Sequence, residues 1–391
     1  MAVINRIAGF ADEMAAWRRH IHQHPELGQE CHETAAYVVA RLKEFGVDEI
    51  HEGIAVSGVV AIIEGQGAGP TVGLRADMDA LPIEEATGAD WASTRPGKMH
   101  ACGHDGHTAM LLGAARYLAE TRNFAGRVAL VFQPAEEVGD GAELMVKEGV
   151  LDRFGIREIY ALHTMPGVPL GQFYTTRGAV MAAVDTFHVH ITGKGGHGAY
   201  PHDALDPIPA ALSIGQAMAT IVSRNHYALD DLVVSVTMIH AGSADNVIPG
   251  TAYLGGTVRT FDKEVQAMVK RRMEEIVAGQ AASFGVTARL DYEEGYPPTI
   301  NDPEAAGFAV SVAEEIVGPD AVEGDGVKEM GAEDFAFFLE KVPGAYLFLG
   351  NGETAMVHHP EYDFDDRAAP VGASFLARAV ERALPMGAER D

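Results

Sequence analysis

Apolar positions in the first part of the chain come as short runs separated by turn residues. Residues 57–64 (SGVVAIIE) and 71–75 (TVGLR) are nearly unbroken apolar runs with Gly and Pro between them. This is how strands buried on both faces read. Residues 107–120 (HTAMLLGAARYLAE) read as a buried helix, 127–132 (RVALVF) as a strand, 141–148 as the opening of a helix, and 158–162 (EIYAL) as a further strand. Strands alternating with helices predict an α/β layer around a mixed, mostly parallel sheet.

The middle of the chain has a different period. Thr186, His188, His190 and Thr192 alternate with Phe187, Val189 and Ile191, the pattern of a strand with one buried face. A helix is expected from 206 to 224, with Pro207 in its first turn. Strands follow at 232–239 and 251–261, then a charged amphipathic helix at 263–283 and a strand at 286–292. The order βαββαβ is that of a ferredoxin-like unit. It predicts an inserted domain at 184–297 inside a discontinuous domain formed by 1–183 and 298–391. The α/β pattern resumes with a helix at 303–317 and a strand at 345–349. There is no internal repeat or low-complexity tract.

Composition narrows the function. The formal charge is −27, which argues against nucleic-acid backbones and anionic membranes as partners. An anionic substrate would need a local cation to hold it. The two cysteines, Cys31 and Cys102, cannot make a disulfide framework, so a reducing compartment is expected. No basic start leads into an apolar stretch, and no apolar run nears the ~18 residues of a membrane span. A cytoplasmic protein is the expectation. Glycine numbers 44 of 391 residues, above the usual ~7%, which suggests many tight loops.

Several segments carry ligand chemistry. In His100-Ala-Cys-Gly-His-Asp-Gly-His107, Cys102 and His104 stand two apart in a Gly-rich loop entering a helix. Thiolate and imidazole suit zinc and related cations; the alternative is a core thiol near surface histidines. In Phe132-Gln-Pro-Ala-Glu-Glu137, Glu136 and Glu137 follow a strand directly. One carboxylate of such a pair can ligate a metal while the other takes a proton from water; the alternative is a solvated pair. His163 ends the strand EIYAL, and His358 and His359 follow the strand at 345–349. In open α/β sheets, ligands bind outside the carboxyl ends of the strands. All these side chains fall there, and five ligand-type side chains at one edge suggest two metals. His20 and His24 would share a helix face. No cysteine or carboxylate accompanies them at ligand spacing, so a non-ligating role is preferred. In the inserted domain, His197 sits in the Gly-rich turn KGGHG (194–198), Asn246 in NVIPG between two strands, and Arg259 near the end of TAYLGGTVRTF. Histidine, amide and guanidinium together can bind an oxyanion and a carboxylate; for Arg259 a surface salt bridge stays open.

Together these motifs resemble the metal-dependent aminoacylase and carboxypeptidase family, in its branch of hippurate hydrolases, N-acyl-amino-acid amidohydrolases and auxin-conjugate hydrolases. The matching segments run from RRHIHQHPELGQE (18–30), GLRADMDALPIEE (73–85) and MHACGHDGHTAMLLGAA (99–115) through FQPAEEVGDGAELMVKEG (132–149), ALHTMPGVPLG (161–171) and GKGGHGAYPH (193–202) to NVIPG (246–250), GTVRTF (256–261), MGAEDFAFF (330–338) and HHPEYDFDD (358–366). The resemblance implies a catalytic domain with two divalent ions (Zn, Mn, Co or Ni) and a smaller lid domain through which chains pair as a homodimer or dimer of dimers. It implies that Cys102, His104, Glu137, His163 and His358 ligate, with His359 the fallback for the last. Glu136 takes the general-base position, His197 assists the tetrahedral intermediate, and Asn246 and Arg259 meet the substrate. Gly198 interrupts the usual lid motif. The implied reaction is hydrolysis of N-acyl amino acids, hippurate-like or N-acetyl, to a carboxylate and a free amino acid. Alternatives are an N-acetyldiaminopimelate deacetylase or dipeptidase of the same family, a cysteine hydrolase using Cys102 with His104 or His107, and a non-catalytic metal or small-ligand binder on the same fold.

Overall fold

The apolar runs pair side by side. In the computed structural model, which describes residues 3–139 and 141–386, they form an eight-stranded mixed sheet. Its order is Glu49–Ile54, Gly58–Glu64, Arg127–Gln133, Thr71–Asp77, Ile156–Met165, Gly344–Gly350, Phe173–Tyr174, Val322–Glu323. The four central strands, from Arg127–Gln133 to Gly344–Gly350, run parallel to their neighbours within that group. Gly58–Glu64 joins this group antiparallel. Thr71–Asp77 is buried at every position, as expected for a strand covered on both faces. Helices His104–Thr121, Pro303–Val317 and Ala369–Ala383 supply the apolar faces packed around this sheet. Because the central strands are parallel, Asp77, Gln133, Met165 and Gly350 end at the same edge. That edge gathers the loops that follow them.

Helix His104–Thr121 begins three residues earlier than its apolar pattern suggests. Gly103 precedes it with φ +88°, and a Cβ there would lie 2.5 Å from the Tyr362 hydroxyl and 2.7 Å from Thr164 Oγ1. Only glycine fits this turn. The final helix Ala369–Ala383 carries Pro370 in its first turn, a position that proline tolerates.

The chain divides into two compact units. One comprises the chain up to Val180, Ile300–Lys328 and the part from Asp334 onward; the other comprises Met181–Thr299 and Glu329–Glu333. The second unit has a four-stranded antiparallel sheet in the order Leu232–Ala241, Thr251–Thr260, Ala183–Thr192, Thr287–Glu294. Phe187, Val189 and Ile191 turn to one face and are buried with Ile214 and Met218 of helix Pro207–Thr220 and Val269 and Met273 of helix Lys263–Ser283. Both helices start on an aspartate cap. Asp206 accepts the Ile208 N–H at 2.9 Å, and Asp262 accepts the N–H groups of Glu264 and Val265 at 2.7 and 3.1 Å. Such caps satisfy backbone donors that the first turn leaves unpaired. Among the described residues, no helix is long and apolar enough to cross a membrane.

Candidate metal centre

The carboxyl edge of the eight-stranded sheet brings His163, near the end of Ile156–Met165, together with Cys102, His104, Glu136, Glu137 and His358 of the neighbouring loops and helix start. His104 is the first residue of its helix. Its Nδ1 lies 2.8 Å from the Asp79 carbonyl. A carbonyl only accepts, so Nδ1 carries the proton and donates. Its Nε2 is buried and has no hydrogen-bond partner, as is Glu137 Oε1. The two atoms are 3.8 Å apart. Glu136 Oε2 lies 4.0 Å from the same nitrogen.

Glu136 and Glu137 sit on a turn that Ala135 enters with φ +59°, a left-handed conformation costly for a residue with a Cβ. Asp79 holds this turn. Its two carboxylate oxygens accept the N–H groups of Glu136 at 3.0 Å and Glu137 at 3.1 Å. Asp79 thus fixes both the imidazole and the acidic pair. Burial raises its own pKa.

His163 leaves the end of its strand with Nδ1 2.7 Å from the Thr164 carbonyl, so its Nε2 is the acceptor. That atom lies 3.3 Å from Cys102 Sγ. Burial, with His107 adding to it, keeps His163 well below the usual histidine range, in the neutral form that ligates. His358 has φ +65°; its N–H donates to the Ala101 carbonyl at 2.7 Å, and its Nε2 lies 3.4 Å from Glu137 Oε1. Glu137 is held low, because His358 and His104 outweigh the effect of burial. His359 turns elsewhere: its Nδ1 accepts the Glu361 N–H at 3.1 Å.

These donors form overlapping sets whose atoms lie within 4.8 Å of one another: Cys102, His104 and His163; Cys102, Glu137 and His358; His104, Glu136 and Glu137. Two of the sets share Cys102. Ligands about 2.0–2.3 Å from one tetrahedral cation stand roughly 3.3–3.8 Å apart. The His104–Glu137 and Glu137–His358 separations fall in that range and are long for hydrogen bonds. The buried nitrogen and oxygen, neither with a hydrogen bond, therefore fit a divalent cation. The same surroundings disfavour a cysteine nucleophile: burial, then Glu137, Glu136 and Asp77, push the Cys102 thiol well up, whereas reactive cysteines sit in electropositive sites.

Behind these donors lies a layer the motifs alone did not reveal. Arg75, fully buried, donates to Gln133 at 2.8 Å, Asp77 at 2.7 Å and Asp334 at 3.0 Å. Asp77 accepts from His107 Nδ1 at 2.7 Å, and His107 Nε2 accepts the Thr164 N–H at 2.9 Å. Asp77 stays well below the carboxylate range because His104, Arg75 and His107 outweigh its burial. Asp334 also accepts the Ala142 N–H at 2.8 Å. The available signal is an apolar strand that ends in Arg-Ala-Asp without leaving the core.

In the second unit, His197 lies in a short ladder with Val247. Its Nδ1 accepts the Ala199 N–H at 3.0 Å. Asn246 meets the same turn through its carbonyl, which accepts the Gly198 N–H at 2.8 Å. Arg259 lies near the end of Thr251–Thr260, half-buried, with Nη1 3.0 Å from the Val258 carbonyl.

A mixed α/β sheet with thiol, imidazole and carboxylate donors converging at the carboxyl edge of its parallel strands defines a metal-dependent hydrolase. The chain belongs to peptidase family M20/M25/M40, whose model matches residues 73–382. It is 42% identical over 377 residues to an N-acetyl-L-cysteine deacetylase of Bacillus subtilis, covering 95% of this chain and 88% of that protein. It is 39% identical over 384 residues to the hippurate hydrolase of Campylobacter jejuni, covering 98% and 100%. Among solved structures it is similar to the YXEP protein of Bacillus subtilis, described as a dinuclear metal binding peptidase, with TM-score 0.86, 35% identity and coverage of 96% and 99%. The chain is a hydrolase acting on amide bonds.

Proposed function

We propose that this chain hydrolyses N-acyl amino acids to a carboxylate and a free amino acid, with Cys102, His104, Glu137, His163 and His358 holding two divalent ions. The observation that carries the reading is the pair of buried atoms without a hydrogen bond, His104 Nε2 and Glu137 Oε1, set 3.8 Å apart beside a second carboxylate, Glu136. When bound, such cations supply Lewis acidity toward the scissile carbonyl and lower the pKa of water. The remaining steps belong to the chain. Glu136 takes a proton from the attacking water as its oxygen bonds to the carbonyl carbon. When the C–N bond breaks, Glu136 gives that proton to the leaving amine. His197 donates to the oxyanion: the accepting role of its Nδ1 leaves the proton on Nε2, free to donate outward. Arg259 takes the substrate carboxylate, the local cation that a chain of charge −27 requires. Asn246 steadies the substrate beside it.

The named activities of the deacetylase and hippurate hydrolase relatives support an acyl amino acid as substrate. The likeness to a protein described as a peptidase favours a second reading, a dipeptide in place of the acyl amino acid. In this proposal the unit holding His197 serves as a lid and as the surface where two chains pair. Its edge strand Leu232–Ala241, with Val236, Met238 and Ile239 exposed, suits that role.

The test is a hydrolysis panel on metal-stripped and reconstituted protein. It compares N-acetyl and N-benzoyl amino acids, their amides, and dipeptides. Activity only after divalent ions are restored, with preference for acyl amino acids bearing a free carboxylate, is the expected result. Full activity in the stripped protein overturns the proposal; preference for dipeptides selects the second reading.

A further inference from the structure

A second set of nitrogen donors stands at the end of helix Ala11–Gln23. His20 lies in the last turn and His24 follows the helix as its cap, and their ring centroids are 4.6 Å apart. His24 Nδ1 lies 2.7 Å from the His20 carbonyl. That bond places a proton on Nδ1, so Nε2 is the nitrogen left to ligate. A backbone carbonyl in this role is how ligating imidazoles are commonly oriented. His20 stacks on Tyr37 at 4.1 Å and 20°, which fixes its ring plane. Burial, with His24 and Arg41 adding to it, lowers the His20 pKa, so the ring is neutral near pH 7.

The chain pattern shows no carboxylate beside these histidines, but the next helix brings one. Glu33, near the start of His32–Phe45, lines the same open cleft of about 160 Å³ as His20, His24 and Tyr37. Its carboxylate pairs with Arg95 at 2.5 Å; Glu33 is exposed and Arg95 half-buried. An ion pair of this kind holds a side chain weakly, so Glu33 can turn toward the imidazoles.

We propose that His20 and His24, with Glu33 as third donor, form a site for a divalent transition cation such as Zn²⁺. Imidazole nitrogen with carboxylate oxygen is a borderline donor set suited to zinc, nickel and copper. The negative charge of the chain favours cation capture. With solvent access, the ion exchanges more readily than at the buried centre. Bound, it clips the end of one helix to the start of the next. The site shares no residue with the centre around Cys102, and the proposal does not depend on the function assigned there.

The test is the zinc content of the whole protein at equilibrium with saturating free Zn²⁺. Wild type should hold one zinc more than His20→Ala and one more than His24→Ala, while hydrolysis and metal-free melting temperature match wild type. His32→Ala, an exposed neighbour bonded to Glu30, should keep the full count. Because each reading is a difference from wild type, it holds whatever number the catalytic centre binds. In unmodified protein, Zn²⁺ should also protect His20 and His24, but not His32, from acylation by diethyl pyrocarbonate, read by peptide mass mapping. Equal zinc counts in wild type and both variants, or equal labelling with and without Zn²⁺, overturn the site. A zinc affinity unchanged in Glu33→Gln removes the carboxylate from it.

Discussion

His22 and His104 are both buried histidines facing carboxylates, and both are held above the usual range. Burial alone would lower each. Asp105 and Glu85 outweigh it at His22, raising it to about 9, and Asp77, Asp79 and Glu137 outweigh it at His104, raising it to about 10. They differ in what the ring nitrogens meet. His22 Nδ1 lies 2.8 Å from Asp105 and Nε2 3.2 Å from Glu85, so the imidazolium spends both donors inside the protein. Arg18 stands 3.7 Å from Asp105 and donates to Asp366 at 2.8 Å. His104 spends one nitrogen on a carbonyl and leaves the other without a hydrogen bond among carboxylates. A closed pair of this kind holds the fold together. An open one collects negative charge around a nitrogen with no hydrogen bond, which suits a cation in place of its proton, and such perturbed groups in a cleft mark functional sites.

Substitution at the two histidines should break the comparison most sharply. His104→Ala should lower kcat/KM by about 10³-fold or more, since several kcal/mol of charge stabilisation goes with the cation. His22→Ala should keep the metal and lose stability instead. Equal loss of activity and metal in both would erase the distinction between open and closed sites. Glu136→Gln should lower kcat by roughly 10²–10⁴-fold with metal content unchanged. If Glu136→Gln loses metal and Glu137→Gln loses only turnover, the two carboxylates have the opposite roles.

Asp79→Ala leaves the N–H groups of Glu136 and Glu137 without their acceptor. At about 1–3 kcal/mol for each buried unsatisfied donor, unfolding in denaturant should show a loss of several kcal/mol. A loss below about 1 kcal/mol would mean the turn is held by other contacts. His22 adds a pH dependence. The folded chain keeps its proton up to about 9, against 6.5 unperturbed, so its contribution is complete below 6.5 and fades as pH rises through 9. At ~1.4 kcal/mol per pKa unit the span is a few kcal/mol. His22→Gln should flatten the fall in stability over that window; an unchanged slope would remove His22 from it. The smallest effect belongs to His359→Ala, whose activity should stay within about twofold of wild type, as for substitutions away from a site. A large loss there would reopen the choice between His358 and His359.

How much is legible in the sequence depends on whether a residue's partners are near in chain or only in space. The central strands are legible because strands buried on both faces must be apolar throughout. Their carboxyl edge is legible because parallel strands end together, and this directs attention to Cys102, Glu136, Glu137, His163 and His358. The charged layer behind them is not. Arg75 and Asp77 sit at the end of a buried strand, and their partners Asp334 and His107 are 259 and 30 residues away. Asp105 is paired with His22 across 83 residues. No spacing rule connects these groups; they are satisfied only once the chain is folded. The same holds for Glu33, which the turn between two helices carries into the cleft of His20 and His24. The positive φ of Ala135 and His358 is equally hidden, because nothing in an alanine or a histidine signals it.

The most direct test of the account is a count of tightly held divalent ions in protein reconstituted and then dialysed, which removes ions from weak surface sites. The open-site reading predicts about two per chain in wild type, as in two-metal hydrolase centres. It predicts the same number in Glu136→Gln and His22→Ala, and a lower one in His104→Ala and Glu137→Gln. A wild-type protein that retains none, or a count that does not change across the four variants, would contradict it.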